Sequence, residues 1–193
     1  MYIVFDFETT GLDYKTEQVI EIACTKLNDK LEPIATLNGL VALNEGKQLP
    51  TFITELTGIT ADMLEGKETE EEALQKLKAF IGDSIVVAQF ASFDLSFLSK
   101  VLKPEKFICT RSMARMLRPK EKASLVNLVE HYNVVNLNPH RAFADVEATI
   151  EVFKYQKAEC EEKGIEYMNV LVDSHERPLR YIPDNAIVKY MEV

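Results

Sequence analysis

This sequence predicts an α/β domain of three layers, with helices on both faces of a mixed central sheet. Three observations carry the prediction. The first is a block of strand-forming runs near the start, separated by turn residues. The second is the alternation that follows, in which helical periodicity and short apolar runs take turns. The third is composition: 47% apolar and 27% charged residues over 193 positions is the balance of a globular domain. A chain of that length buries about 70% of its unfolded surface and needs no disulfide or metal to fold.

The elements follow in order. Tyr2, Ile3, Val4, Phe5 and Phe7 are strand formers, and Thr9-Thr10-Gly11-Leu12-Asp13 reads as the turn that ends their strand. Val19 to Cys24 is a second strand and Ile34 to Leu43 a third, with Lys30 to Pro33 between them, which predicts an antiparallel meander. Residues 51–65 read as two short helical pieces broken at Thr57-Gly58-Ile59-Thr60. Thr69 and Glu72 form a capping-box pattern, and Ala73, Leu74, Leu77, Phe80 and Ile81 then repeat at helical spacing up to Gly82. Ser84 to Phe90 reads as a buried strand, and Leu95, Leu98 and Leu102 as a helix that stops before Pro104. Phe107-Ile108-Cys109 is a short strand, followed by helices over 111–117 and 124–132. Arg111, Arg115 and Arg118 read as a solvated face of the first of these, with phosphate tracking as the alternative. Pro139 suits the first turn of a last helix with Asn138 as its cap, and Ala142, Val146, Ile150 and Phe153 carry its period towards Gly164. Residues 165–193 change character, with strands at Met168–Val172 and Ala186–Tyr190 around Pro178 and Pro183. The expected division is a domain over 1–163 and an extension over 164–193.

Several function classes are disfavoured by the same counts. A formal net charge of −9 argues against coating nucleic acid by bulk electrostatics, though not against an enzyme that meets phosphate through bound cations. Cys24, Cys109 and Cys160 lack close spacing and read as buried small hydrophobes in a reducing compartment. Neither a leader pattern nor a stretch of ~20 apolar residues is read, so a cytoplasmic protein without membrane contact is expected.

Asp6 and Glu8 stand at i and i+2 at the end of a buried strand, and so on one face. Two carboxylates there are costly unless a cation neutralises them or the strand end emerges into solvent. Asp94 sits among Phe93, Leu95, Phe97 and Leu98 at a helix start, where either a cation or the helix dipole accounts for an acid. Asp145 lies on an otherwise apolar helix with His140 about one turn earlier, and a lone histidine in a loop reads first as a surface residue.

Taken together, Asp6-Phe7-Glu8-Thr9-Thr10-Gly11, Phe93-Asp94 with Phe97-Leu98, and His140-x-Ala142-x-x-Asp145 resemble the three motifs of the DEDDh, or DnaQ-like, 3′→5′ exonucleases. Leu56-Thr57-Gly58-Ile59-Thr60 is similar to a further segment of that family, and the resemblance covers roughly residues 1–155. One departure stands out: Gln89-Phe90 occupies the place of the family's His-Asn pair in the second motif.

The resemblance implies a ribonuclease H-like fold and a metal-dependent 3′→5′ exonuclease, of proofreading or repair type, similar to the epsilon subunit of a replicative polymerase. It implies two Mg²⁺ or Mn²⁺ ions held by Asp6, Glu8, Asp94 and Asp145, Asp6 bridging, with His140 as general base. The expected substrate is a nucleic-acid 3′ end, single-stranded DNA ahead of RNA, and a DNA polymerase subunit is the expected partner. Backbone N–H groups of Phe7, Thr9 and Thr10 are candidates to hold the terminal nucleotide. Leu12, Leu56, Ile59 and the Phe90 ring are candidates to pack on bases. The alternatives are an exoribonuclease of the same fold and a module that binds nucleotide ends without cleaving them.

Overall fold

The structure is a computed structural model, and it describes residues 1–191. Strand β1 (Tyr2–Thr9) pairs antiparallel with β2 (Val19–Leu27), which pairs antiparallel with β3 (Pro33–Leu40). On its other side β1 pairs parallel with β4 (Ile85–Ala88), and β4 pairs parallel with β5 (Phe107–Cys109). The order β3-β2-β1-β4-β5 is therefore a mixed five-stranded sheet with β1 at its centre.

Strand alternation decides what each face carries. Ile3, Phe5 and Phe7 point to one face, where they pack with Ala73, Leu74, Leu77 and Ile81 of α3 (Glu70–Ile81) and Leu95, Phe97 and Leu98 of α4 (Ala91–Leu98). Val4, Val87 and Ile108 point to the other, against Met113 of α5 (Thr110–Leu117) and Val146, Ile150 and Phe153 of α7 (Ala142–Glu162). Asp6 and Glu8 continue the face of Val4, so the residue period of two delivers both acids towards α7. Short helices α1 (Thr51–Thr57) and α2 (Ala61–Leu64) cover one end of β2, and α6 (Leu125–His131) packs on α7.

Local signals explain several boundaries. The Thr69 hydroxyl accepts from the Glu72 N–H while the Glu72 carboxylate accepts from the Thr69 N–H, which starts α3 and is worth about 1 kcal/mol. Gly58 closes α1 at φ 72°, a conformation that disfavours a side chain. Elsewhere the structure departs from the sequence expectation. The last helix starts at Ala142, not at Pro139, and Arg141 rather than Asn138 precedes it. β4 is four residues long because the chain turns at Gln89-Phe90 into α4. The α5 arginines do not form a solvated face: Arg111 and Arg115 are 3% and 1% exposed.

After α7 the chain makes a small parallel sheet of β6 (Val170–Asp173) and β7 (Ile187–Tyr190). Asn169 caps the free edge of β5, its N–H donating to the Phe107 carbonyl and its side chain accepting the Phe107 N–H, both at 2.8 Å. Leu171 enters the main core fully buried. Among the described residues no helix is long and apolar enough to cross a membrane. Cys24, Cys109 and Cys160 are free and buried.

Candidate active site

At the C-terminal end of β1 the sheet opens into a cleft of about 230 Å³, lined by Asp6, Glu8, Asp94, His140 and Asp145. Asp6, Glu8 and Asp145 each offer a carboxylate oxygen, and the three oxygens lie within 4.8 Å of one another. Asp94, 3% exposed in the first turn of α4, enters the same cleft from the opposite layer.

These acids are held in a costly state. Burial pushes the Asp6 carboxyl well above the ordinary carboxylate range, and the charges of Asp94 and Glu8 push it further. Burial, with Asp145 and Glu21 beside it, raises Glu8 to about 8. Burial also raises Asp94 to about 7, against backbone hydrogen bonds and the nearby charge of Arg177. Asp145 is raised by burial, while the Asn136 amide (2.7 Å) and the His140 N–H (3.2 Å) donate to its two oxygens and pull it back. Crowded hard oxygen donors that cannot all stay charged alone are the donor set a divalent cation such as Mg²⁺ or Mn²⁺ satisfies.

His140 stands exposed at the rim, with its backbone in the left-handed region at φ 64°. That turn lets its N–H reach Asp145 while its ring stays on the cleft side, so residues 136–140 wrap the carboxylate instead of beginning a helix.

Glu21 and Arg141 form a clasp that the motif analysis missed. Glu21 stands directly opposite Glu8 across the β1–β2 ladder, 6% exposed, an arrangement that like charges disfavour. Arg141 resolves it: its Nε and Nη2 donate to the Glu21 carboxylate, Nη2 at 2.7 Å, and the Ala142 N–H donates to the same group at 3.0 Å. The clasp thus fixes the first residue of α7, one turn before Asp145. The available signal was an acid inside the apolar run Val19-Ile20-Glu21-Ile22.

The remaining substrate candidates divide. Leu12 and Leu56 are 57% and 49% exposed and free to meet a ligand. Ile59 is fully buried with Ile20, Ile53 and Leu64, so it is a core residue and not a base contact. The Thr10 N–H already donates to the Gln18 carbonyl at 2.9 Å and is not spare for a nucleotide. Thr9 turns its hydroxyl to the Gly11 carbonyl at 2.7 Å. Phe90 lines the cleft but is 6% exposed, with the Arg111 and Arg177 guanidinium groups 5.3 and 4.4 Å from its ring centre, so the ring is packed and not open to a base. Gln89 is structural, its amide donating to the Ala123 carbonyl at 3.0 Å and accepting from Thr110.

Comparison with known proteins adds to this geometry. The RNase_T family model, described as exonuclease, matches residues 3–153. The PolC-type DNA polymerase III of Clostridium perfringens is 36% identical over 94% of this chain, which spans only 13% of that protein. The DNA polymerase III subunit epsilon of Aquifex aeolicus is 35% identical, and the match covers 79% of this chain and 78% of that subunit. Among solved structures, exonuclease X in complex with 5′ overhanging duplex DNA superposes with a TM-score of 0.68 at 22% identity, over 96% of this chain and 99% of that one.

Proposed function

The chain belongs to the exonuclease family of DnaQ type, and from that premise we propose that it removes nucleotides from the 3′ ends of single-stranded DNA with divalent cations held by Asp6, Glu8, Asp94 and Asp145. The observation that carries the reading is the convergence of the Asp6, Glu8 and Asp145 oxygens within 4.8 Å, with Asp94 facing them across one cleft. When bound, divalent cations would neutralise phosphate charge and make the attacking water easier to deprotonate at neutral pH.

This chain's own residues do the rest. His140, at the exposed rim, accepts the proton of the attacking water. The new bond joins water oxygen to phosphorus, the bond from phosphorus to the 3′ oxygen breaks, and that oxygen takes a proton from solvent to become the hydroxyl of the new strand end, while His140 returns its proton to solvent. The product is a nucleoside 5′-monophosphate. Glu21 and Arg141 hold the start of α7, and Asn136 and the His140 N–H hold Asp145 in place to ligate. Leu12 and Leu56 offer apolar surface to unstacked bases.

DNA is favoured over RNA because the sequence relatives are named as DNA polymerase III proteins, and the same names support association with a replicative polymerase. The test is digestion of matched DNA and RNA strands of one sequence under Mg²⁺ or Mn²⁺. Faster loss of 3′ nucleotides from DNA is expected. Preference for RNA would replace the substrate assignment with the exoribonuclease reading.

A further inference from the structure

Among the described residues, the arginine or lysine that lines the acidic cleft is Arg177, and it comes from the extension after α7 instead of from the elements that carry the acids. Its position is built from both sides. Asp173 accepts the N–H groups of Ser174 and Leu179, at 3.0 and 3.2 Å, which closes residues 173–179 into a loop. The buried Arg111 donates to the Ser174 hydroxyl at 3.2 Å, and the buried Arg115 pairs with Glu176. Beyond the loop, the Arg180 and Tyr181 N–H groups donate to the Ser92 hydroxyl at 2.7 and 2.9 Å. Ser92 is in the first turn of α4, two residues before Asp94. The segment is therefore tied to α5 on one side of Arg177 and to α4 on the other.

Arg177 itself is exposed. Arg115, Arg118 and Arg141 are committed to carboxylates, whereas Arg177 forms no such pair among the described residues. Its guanidinium lies 4.4 Å from the Phe90 ring centre, a stacking contact that restricts the side chain without using any of its N–H donors. A planar fork of free donors, held beside a cluster of carboxylates, is suited to an anion that bridges the two. Phosphate carried to those carboxylates is such an anion.

We propose that Arg177 binds the phosphate group of the 3′-terminal nucleotide, so that the C-terminal extension supplies a substrate-binding residue to the cleft. The proposal rests on the exonuclease reading above and deepens it.

The test uses the full chain with Mg²⁺ and a single-stranded DNA substrate, comparing wild type, Arg177→Ala, Arg177→Lys and Arg180→Ala. It adds the binding of thymidine 5′-monophosphate and of thymidine, which lacks the phosphate. Arg177→Ala is expected to raise KM about tenfold, with a much smaller change in kcat, and to weaken the monophosphate by a similar factor while thymidine binding stays the same. Arg177→Lys should recover part of the loss, and Arg180→Ala should behave as wild type. KM and monophosphate affinity of Arg177→Ala within twofold of wild type overturn the proposal. So does an equal loss of thymidine binding, which would make the side chain a packing group. A wild type that shortens DNA beside an unaffected Arg177→Ala removes the phosphate assignment alone. A wild type that shortens no strand removes the exonuclease reading with it.

Discussion

Burial raises the carboxyls of Asp6, Glu8 and Asp94, Glu8 to about 8 and Asp94 to about 7. In the unfolded chain the same groups release their protons near pH 4. Between those limits the folded protein retains protons that the unfolded one has lost, so stability is greatest below about pH 4 to 5 for these groups and falls as pH rises towards 8. In EDTA, the melting temperature should therefore drop from pH 5 to pH 8 by several degrees, and Mg²⁺ should remove most of the drop at pH 8. A flat or rising profile contradicts that. Asp6→Asn should raise the metal-free melting temperature at pH 8 by a few degrees, because a neutral amide replaces a buried carboxyl whose folded form must hold a proton that the unfolded chain has lost, while activity is lost. His140→Ala should lower turnover by about 10²–10⁴-fold with strand binding retained, as measured by single-turnover cleavage beside equilibrium binding. An equal loss of binding would make His140 a ligand or a structural residue instead. At this scale Asp6 and Glu8 were legible because a strand's period of two places them together whatever else folds. Ile59 was not, because an apolar side chain in a turn carries no mark of whether it faces inward, and here it is fully buried.

The α7 helix shows how an element's start can depend on a residue far away in sequence. Its apolar period was readable from Ala142 onward, but its first residue is set by the N–H of Ala142 reaching Glu21, not by the proline at 139. Such a contact joins positions 121 apart and leaves no local signature. The same reason hid the burial of Arg111 and Arg115, whose near-helical spacing looks solvated until the segment after α7 covers them. Arg141→Ala should leave Glu21 as a buried charge opposite Glu8. The expected cost is about 2 kcal/mol, seen as a melting temperature lowered by several degrees, with turnover reduced because Asp145 loses its support. Adding Glu21→Gln should restore part of the stability, since the buried charge is then absent. A double variant as unstable as the single one would show that the clasp acts through packing and not through charge.

Across the whole molecule, a net charge of −9 sits beside a function read as binding another polyanion. On the proposed reading, cations held by the cleft carboxylates, with Arg177 lining the same cleft, would offset this locally. Element order and layering were legible over residues 1–163, because the helices there carry their own period and the strands their own apolar runs. The role of residues 164–191 was not, because it lies in contacts: Leu171 in the main core, Asn169 on the edge of β5, and Ser174 to Tyr181 between α5 and α4. We propose that residues 1–163 are the exonuclease unit and that residues 164–191 add to its cleft through Arg177. The measurement that bears most directly on the account follows one single-stranded DNA, labelled at its 5′ end, through time with Mg²⁺ and with excess EDTA. The account predicts a ladder that shortens stepwise from the 3′ end under Mg²⁺ and an intact strand in EDTA. Robust degradation in EDTA, or release of the 5′ label as the first product, would contradict it.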